Sequence, residues 1–93
     1  MMLVVDPTHI YKCGNTTFIV QPRLQRWFET APHNAHVIYA TGDVAMDRRV
    51  GADPSGLLNA SANYMHKLAR QGYVELTQRK LYDNYYEYRV RKK

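Results

Sequence analysis

The segment from Ser55 to Gly72 constrains the fold more than any other part of this 93-residue chain. Ser55 is a suitable N-cap and Gly72 a suitable C-terminal glycine, so we predict a helix from Ser55 to about Gln71. Apolar residues recur within it at helical spacing, which is typical of a helix that buries one face. They form a single stripe: Leu57, Leu58, Ala62, Met65, Leu68 and Ala69.

A basic β-hairpin is predicted directly after this helix. Tyr73–Thr77 and Tyr85–Val90 read as strands, with a turn at Asp83-Asn84. A two-residue loop would place the apolar residues of the two strands on opposite faces, because a one-residue slip inverts every side chain. We therefore predict a longer loop or a bulge. It would gather one set of side chains on one face (Val74, Leu76, Tyr86, Tyr88 and Val90) and Arg79, Arg89 and Arg91 on the other.

The first half of the chain mixes short strands with short helices. Pro22 opens a helix that must end before Pro32. Thr41 or Asp43 is expected to cap a second helix over Val44–Val50. Four strands are predicted: Met2–Val5, His9–Lys12, Thr16–Val20 and Ala35–Ala40. The pattern predicts a single α+β domain over residues 1–93, with no linker.

Composition excludes several classes of protein. One cysteine, Cys13, cannot form an internal disulfide, which suits a reducing cytoplasm. The longest apolar run, Met1–Val5, is far shorter than the roughly 18 residues of a membrane span, so we expect a cytoplasmic protein without a membrane partner. The length leaves no room for a cofactor domain beside a substrate domain. We expect no cofactor.

The net charge of +5 is concentrated in the second half of the chain. Residues 1–47 carry three Lys or Arg against four acidic residues, whereas residues 48–93 carry ten against four. The second half therefore has a net charge of +6. A basic half beside a near-neutral half is typical of a protein that meets a polyanion on one face, although a merely solvated surface has the same composition.

Helix, break, longer helix and basic hairpin is also the order of winged helix-turn-helix domains. The stretch Thr41–Leu76 resembles the second helix, turn, recognition helix and wing entry of MarR-like regulators. Its turn is GADPS at residues 51–55, and LARQGYV at residues 68–74 is similar to the exit into the wing. The resemblance covers roughly the last 55 residues and implies a winged helix with additional N-terminal β-strands and a C-terminal hairpin wing.

This resemblance implies binding to double-stranded DNA and regulation of transcription. Helix 55–71 would enter the major groove, where Asn pairs with adenine and Arg with guanine. Wing 74–91 would hold the backbone, and Lys92 and Lys93 would add salt-sensitive affinity. The implied contacts on the helix are Asn59, Asn63, His66, Lys67 and Arg70. Those on the wing are Arg79, Lys80, Arg89 and Arg91. A homodimer would supply a second half-site.

A second interpretation keeps the fold and changes the partner. The region Val37–Arg49 and the Tyr-rich basic tail resemble small bacteriophage proteins, which implies inhibition of a host or partner protein through the same basic surface. An enzyme is not expected, because the sequence has no phosphate-binding glycine loop and no G-x-S-x-G or H-E-x-x-H motif. His9, Cys13, His33 and His36 match no firm metal motif, so no metal site is predicted.

Overall fold

The computed structural model describes residues 10–49 and 52–93. Within them the fold is α+β, as predicted. The strands are β1 (Ile10–Cys13), β2 (Thr16–Ile19), β3 (His36–Gly42), β4 (Val74–Tyr82) and β5 (Tyr85–Lys92). The helices are α1 (Gln21–Thr30), α2 (Val44–Asp47) and α3 (Leu57–Arg70). The predicted strand Met2–Val5 and the predicted residues His9 and Val50 lie outside the described residues.

The described strands form one antiparallel sheet in the order β1-β2-β3-β5-β4. Helices α1 and α3 pack on one face of it. Their buried residues Leu24, Leu58 and Met65 belong to the same apolar cluster as Phe18 and Val90 of the sheet. The other face of the sheet, which we call the reverse face, carries Glu75, Thr77 and Arg79 from β4 and Glu87, Arg89 and Arg91 from β5.

Helix α3 is confirmed, but it is shorter than predicted: it runs from Leu57 to Arg70 rather than from Ser55 to about Gln71. The N-cap is Gly56 in a left-handed conformation rather than Ser55. The Asp53 carboxylate accepts a hydrogen bond from the backbone N–H of Asn59 at 2.8 Å, and the Ser55 hydroxyl accepts one from the backbone N–H of Leu57 at 3.3 Å. These two side chains satisfy free amide groups of the first turn, so the predicted cap acts from just outside the helix.

Helix α2 is a single turn, because it ends at Asp47 rather than near Val50. Asp43 caps it as predicted, by accepting a hydrogen bond from the Met46 amide at 3.1 Å. Asp47 points back to the β1-β2 turn, where its carboxylate accepts hydrogen bonds from the Asn15 amide and the Thr16 hydroxyl. The chain leaves the helical conformation at Arg48, the C-cap, whose side chain turns to Asn59 and Asn63 of α3.

The β4-β5 hairpin confirms the predicted bulge. Its turn is Asp83-Asn84, and Tyr82 pairs with Tyr85. The register shifts between Lys80 and Tyr82, so Leu81 is the extra residue. Beyond that bulge Leu76 lies opposite Val90, which brings the apolar residues of both strands to the core face, as the sequence predicted.

Lys92, predicted as part of a basic tail, also has a structural role that the sequence did not indicate. Its ammonium group donates hydrogen bonds to the carbonyl oxygens of Phe28 at 2.6 Å and Ala31 at 2.8 Å. It also lies 4.9 Å from the centre of the Phe28 ring. A cation at the C-terminus of α1 satisfies free carbonyls and opposes the negative end of the helix dipole.

We expect Lys92→Met to lower the free energy of unfolding by about 1.5 kcal/mol, because two charge-assisted hydrogen bonds at a helix end are lost. Urea denaturation would measure the change. Lys93→Met removes the same charge from an exposed neighbour and is the matched control. Equal midpoints for the two variants would contradict the capping role.

Candidate nucleic-acid interface

Five residues of α3 form an exposed or half-buried polar surface, which we call the α3 polar stripe: Asn59, Asn63, His66, Lys67 and Arg70. They occupy helical positions that flank the buried stripe of Leu58, Ala62 and Met65. Because no acidic residue lies between Pro54 and Tyr73, the stripe carries only neutral polar and basic groups. The structure therefore brings the five helix residues predicted for DNA contact onto one side of α3.

Arg48, the residue directly after α2, joins this stripe, and it was not among the contacts predicted from the sequence. Its Nε and Nη2 atoms donate to Asn59 Oδ1 at 3.0 and 2.8 Å. Nη2 also donates to Asn63 Oδ1 at 2.6 Å. The two asparagines, four residues apart, hold one guanidinium between them. The only sequence signal was the Arg48-Arg49 pair near the end of the predicted helix Val44–Val50.

These hydrogen bonds change what the two asparagines can recognise. Bidentate pairing with adenine needs the side-chain oxygen as acceptor and the side-chain nitrogen as donor. Asn59 Oδ1 already accepts two hydrogen bonds from Arg48, which uses both of its lone pairs. Adenine recognition by Asn59 is therefore blocked while Arg48 is in place. Asn63 keeps one acceptor position, since it accepts a single hydrogen bond.

A groove of about 950 Å³ opens between α2, α3 and the β4-β5 hairpin. Arg48, Asn59 and His66 line its helix side, and Gln78 and Tyr86 line its hairpin side. The groove is concave, and side chains from three elements converge on it. Its volume falls within the range of about 300–1,000 Å³ that is usual for ligand sites.

The positive potential around the groove affects His66. Partial burial lowers the pKa of His66 below its ordinary value, and the charges of Arg48 and Arg70 lower it further. The lowered pKa favours the neutral imidazole. Arg48 has no ion pair with a carboxylate among the described residues, since each ion pair found there involves another cation.

Three of the four predicted wing residues lie apart from α3. Arg79, Arg89 and Arg91 alternate onto the reverse face, as the bulge argument predicted. Arg79 and Arg89 both pair with Glu87, at 3.5 and 2.9 Å. Arg91 pairs with Glu75 at 3.0 Å and also donates to Asn34. The sheet therefore separates these arginines from the α3 polar stripe, and carboxylates partly neutralise them.

Lys80 lies on the helix-bearing face of the hairpin. It pairs with Tyr86, and it stands two residues after Gln78, which lines the groove together with Tyr86. Its ammonium group lies 3.3 Å from an Asp83 carboxylate oxygen, and both side chains are more than half exposed. An exposed pair of this kind contributes little stability. Lys80 is therefore the one predicted wing cation that shares a face with the α3 polar stripe.

Cys13 is an unsuitable nucleophile. Burial raises the pKa of its thiol, and the nearby carboxylates of Asp53 and Asp47 raise it further. The thiol donates to the carbonyl oxygen of Ala52 at 3.1 Å. Within residues 10–49 and 52–93, no group of three or more His, Cys, Asp or Glu side chains is arranged to hold a metal ion.

Comparisons with protein families, with curated proteins and with solved structures find no match to this chain. Among the described residues, no helix is both long enough and apolar enough to cross a membrane.

Proposed function

We propose that this protein is a winged-helix domain that binds double-stranded DNA and regulates transcription, with α3 as the recognition helix. The observation that carries the proposal is the carboxylate-free polar stripe of α3, with Arg48 held against it. Major-groove readers present such a helix face to base edges, and their phosphate contacts come from neighbouring cations.

The order of elements supports this interpretation. From α1 onward the chain runs helix, strand, short helix, longer helix and two-stranded hairpin, which is the order of winged-helix domains. In the sheet, β5 lies between β3 and β4, so the hairpin extends from the edge strand β4 next to α3. The β1-β2 hairpin then continues the sheet on the far side of β3.

The location of charge refines the proposed contacts. Lys67 and Arg70, in the last turn of α3, would hold phosphates or guanine edges, together with Lys80 on the same side of the hairpin. Arg79, Arg89 and Arg91 belong to the reverse face and are assigned no direct contact in this proposal. The recognition surface is therefore α3, α2 and one face of the hairpin.

A homodimer remains part of the proposal. In the described sheet β1 is an edge strand, and its residues Ile10 and Tyr11 are exposed. Trp27 instead packs half-buried against the core, which makes α1 the weaker candidate for a dimer contact. Sedimentation equilibrium of the wild type and of Ile10→Lys would test the edge contact.

The central test is a titration of labelled random-sequence duplex at about 50 and 200 mM salt. We expect affinity to fall at least about tenfold between the two conditions, because phosphate contacts release counterions. Asn63→Ala combined with Arg70→Ala should weaken binding at both salts. Absence of binding at the lower salt would exclude the proposed function, whereas tight, salt-insensitive capture of a single protein from lysate would favour a protein partner.

A further inference from the structure

The Arg48 guanidinium is held rigidly while part of it stays free. Its Nε and Nη2 protons are used by Asn59 and Asn63, whereas no hydrogen bond from Nη1 is found among the described residues. Arginine side chains are flexible, and ordering them on a ligand costs entropy. Here the two asparagine oxygens have already ordered the group before any ligand arrives.

The side-chain amide nitrogens extend this donor surface. With both Oδ1 atoms turned toward Arg48, the Nδ2 groups of Asn59 and Asn63 are directed away from the guanidinium and can donate. Arg48 and Asn59 line the groove, and Asn63 is hydrogen-bonded to the same guanidinium, so three side chains that carry donors belong to one hydrogen-bonded cluster beside the groove. Such a set matches an acceptor with several oxygens.

The charge of Arg48 is not paired with a carboxylate among the described residues, although Asp43 lines the same groove. Its effect reaches His66, whose pKa is lowered by burial and by Arg48. A half-buried cation without a counterion attracts an anion more strongly than a fully solvated one, because water screens it less.

We propose that Arg48, Asn59 and Asn63 form a preorganised binding site for a phosphate group at the mouth of the groove. Two sources share this chemistry. One is the phosphodiester backbone of duplex DNA, and the other is the phosphate of a small ligand that enters the groove, which is large enough for a nucleotide-sized molecule. A free phosphate would bind the same atoms even if the protein bound no DNA, so this proposal and the proposed function can fail separately.

The test compares two adjacent arginines. Arg48→Met and Arg49→Met each remove one charge from neighbouring positions. Arg49 also lines the groove, but it is exposed, and its one side-chain hydrogen bond among the described residues runs from Nε to the Met46 carbonyl oxygen at 3.2 Å, so nothing holds it against α3. Inorganic phosphate is titrated against each protein at constant ionic strength, with chloride as the reference anion. Chemical shifts of the arginine Nε–H and asparagine side-chain NH₂ groups are followed by NMR.

We expect saturable shifts at Asn59 and Asn63 in the wild type and in Arg49→Met, and loss of saturation in Arg48→Met. Asn63→Ala keeps every charge and should weaken phosphate binding at least threefold, which provides a test even if Arg48→Met does not fold. Equal phosphate responses in the two arginine variants, or a linear response in the wild type, would overturn the proposal.

Duplex titrations of the same variants identify the source of the phosphate. If the source is DNA, Arg48→Met should weaken duplex binding at least tenfold and Arg49→Met at most threefold. If it is a small ligand, the two variants should bind duplex equally. Adenosine monophosphate should then shift the side-chain N–H resonances of the groove saturably in the wild type and in Arg49→Met, but not in Arg48→Met. Either pattern supports a phosphate site.

Discussion

Replacement of Gly42 with alanine is expected to lower the free energy of unfolding by about 3 kcal/mol or more. Gly42 is buried at the end of β3 with a φ of +131°, a conformation that residues with a side chain rarely adopt. An added Cβ would lie 2.6 Å from the Thr16 Cα and 2.7 Å from the Asn15 carbonyl oxygen. Both atoms belong to the backbone, so neither can move aside cheaply.

This close approach holds the end of β3 against the β1-β2 turn, next to the contact between Asp47 and Thr16. Thermal unfolding would measure the effect, and we expect a loss of more than about 12 °C in a domain of this size. Gly72→Ala is the matched control. Gly72 also has a positive φ, of +83°, but an added Cβ there meets nothing within 4 Å. If the two variants lost equal stability, the steric argument at Gly42 would be wrong.

A second large effect is expected from neutralising Lys67 and Arg70 together. Lys67→Gln with Arg70→Gln should weaken duplex binding about 30-fold or more and lower the slope of log affinity against log salt by about 2. The physical reason is local. For each cation removed from the surface proposed to face the phosphates, one fewer counterion is released when the protein binds DNA.

Arg89→Gln with Arg91→Gln removes the same two charges from the reverse face. This control should change duplex affinity less than about threefold, because those arginines already pair with Glu87 and Glu75 on the far side of the sheet. Fluorescence anisotropy over a range of salt concentrations would measure both pairs. Equal slopes for the two double variants would mean that net charge, rather than the α3 surface, determines the affinity.

Local patterns in the sequence predicted much of this fold. The apolar spacing from Leu57 to Ala69 predicted α3, and Pro22 and Pro32 bracketed α1. The change of register in the hairpin was also predictable, as a longer loop or a bulge, because a plain two-residue loop would put Leu76 and Val90 on opposite faces. These features depend on period and on turn chemistry, which are properties of neighbouring residues.

Long-range contacts were beyond such patterns. Lys92 looks like part of a basic tail until the sheet carries it to the end of α1, 61 residues earlier at Ala31. Asp47 looks like an ordinary helix residue until α2 is placed beside Thr16. In both cases the partner is distant in sequence, so no local period or motif encodes the contact.

The candidate site divides in the same way. The sequence by itself determined that α3 has a polar stripe without carboxylates and that the hairpin keeps Arg79, Arg89 and Arg91 on one side, because helical and strand periods fix which side chains share a face. Only the tertiary structure decided that the sheet lies between those two cationic sets. It also decided that Arg48 occupies the oxygens of Asn59 and Asn63. Both outcomes follow from the way separate elements pack against one another, which buries one face of each and brings the remaining faces together or apart.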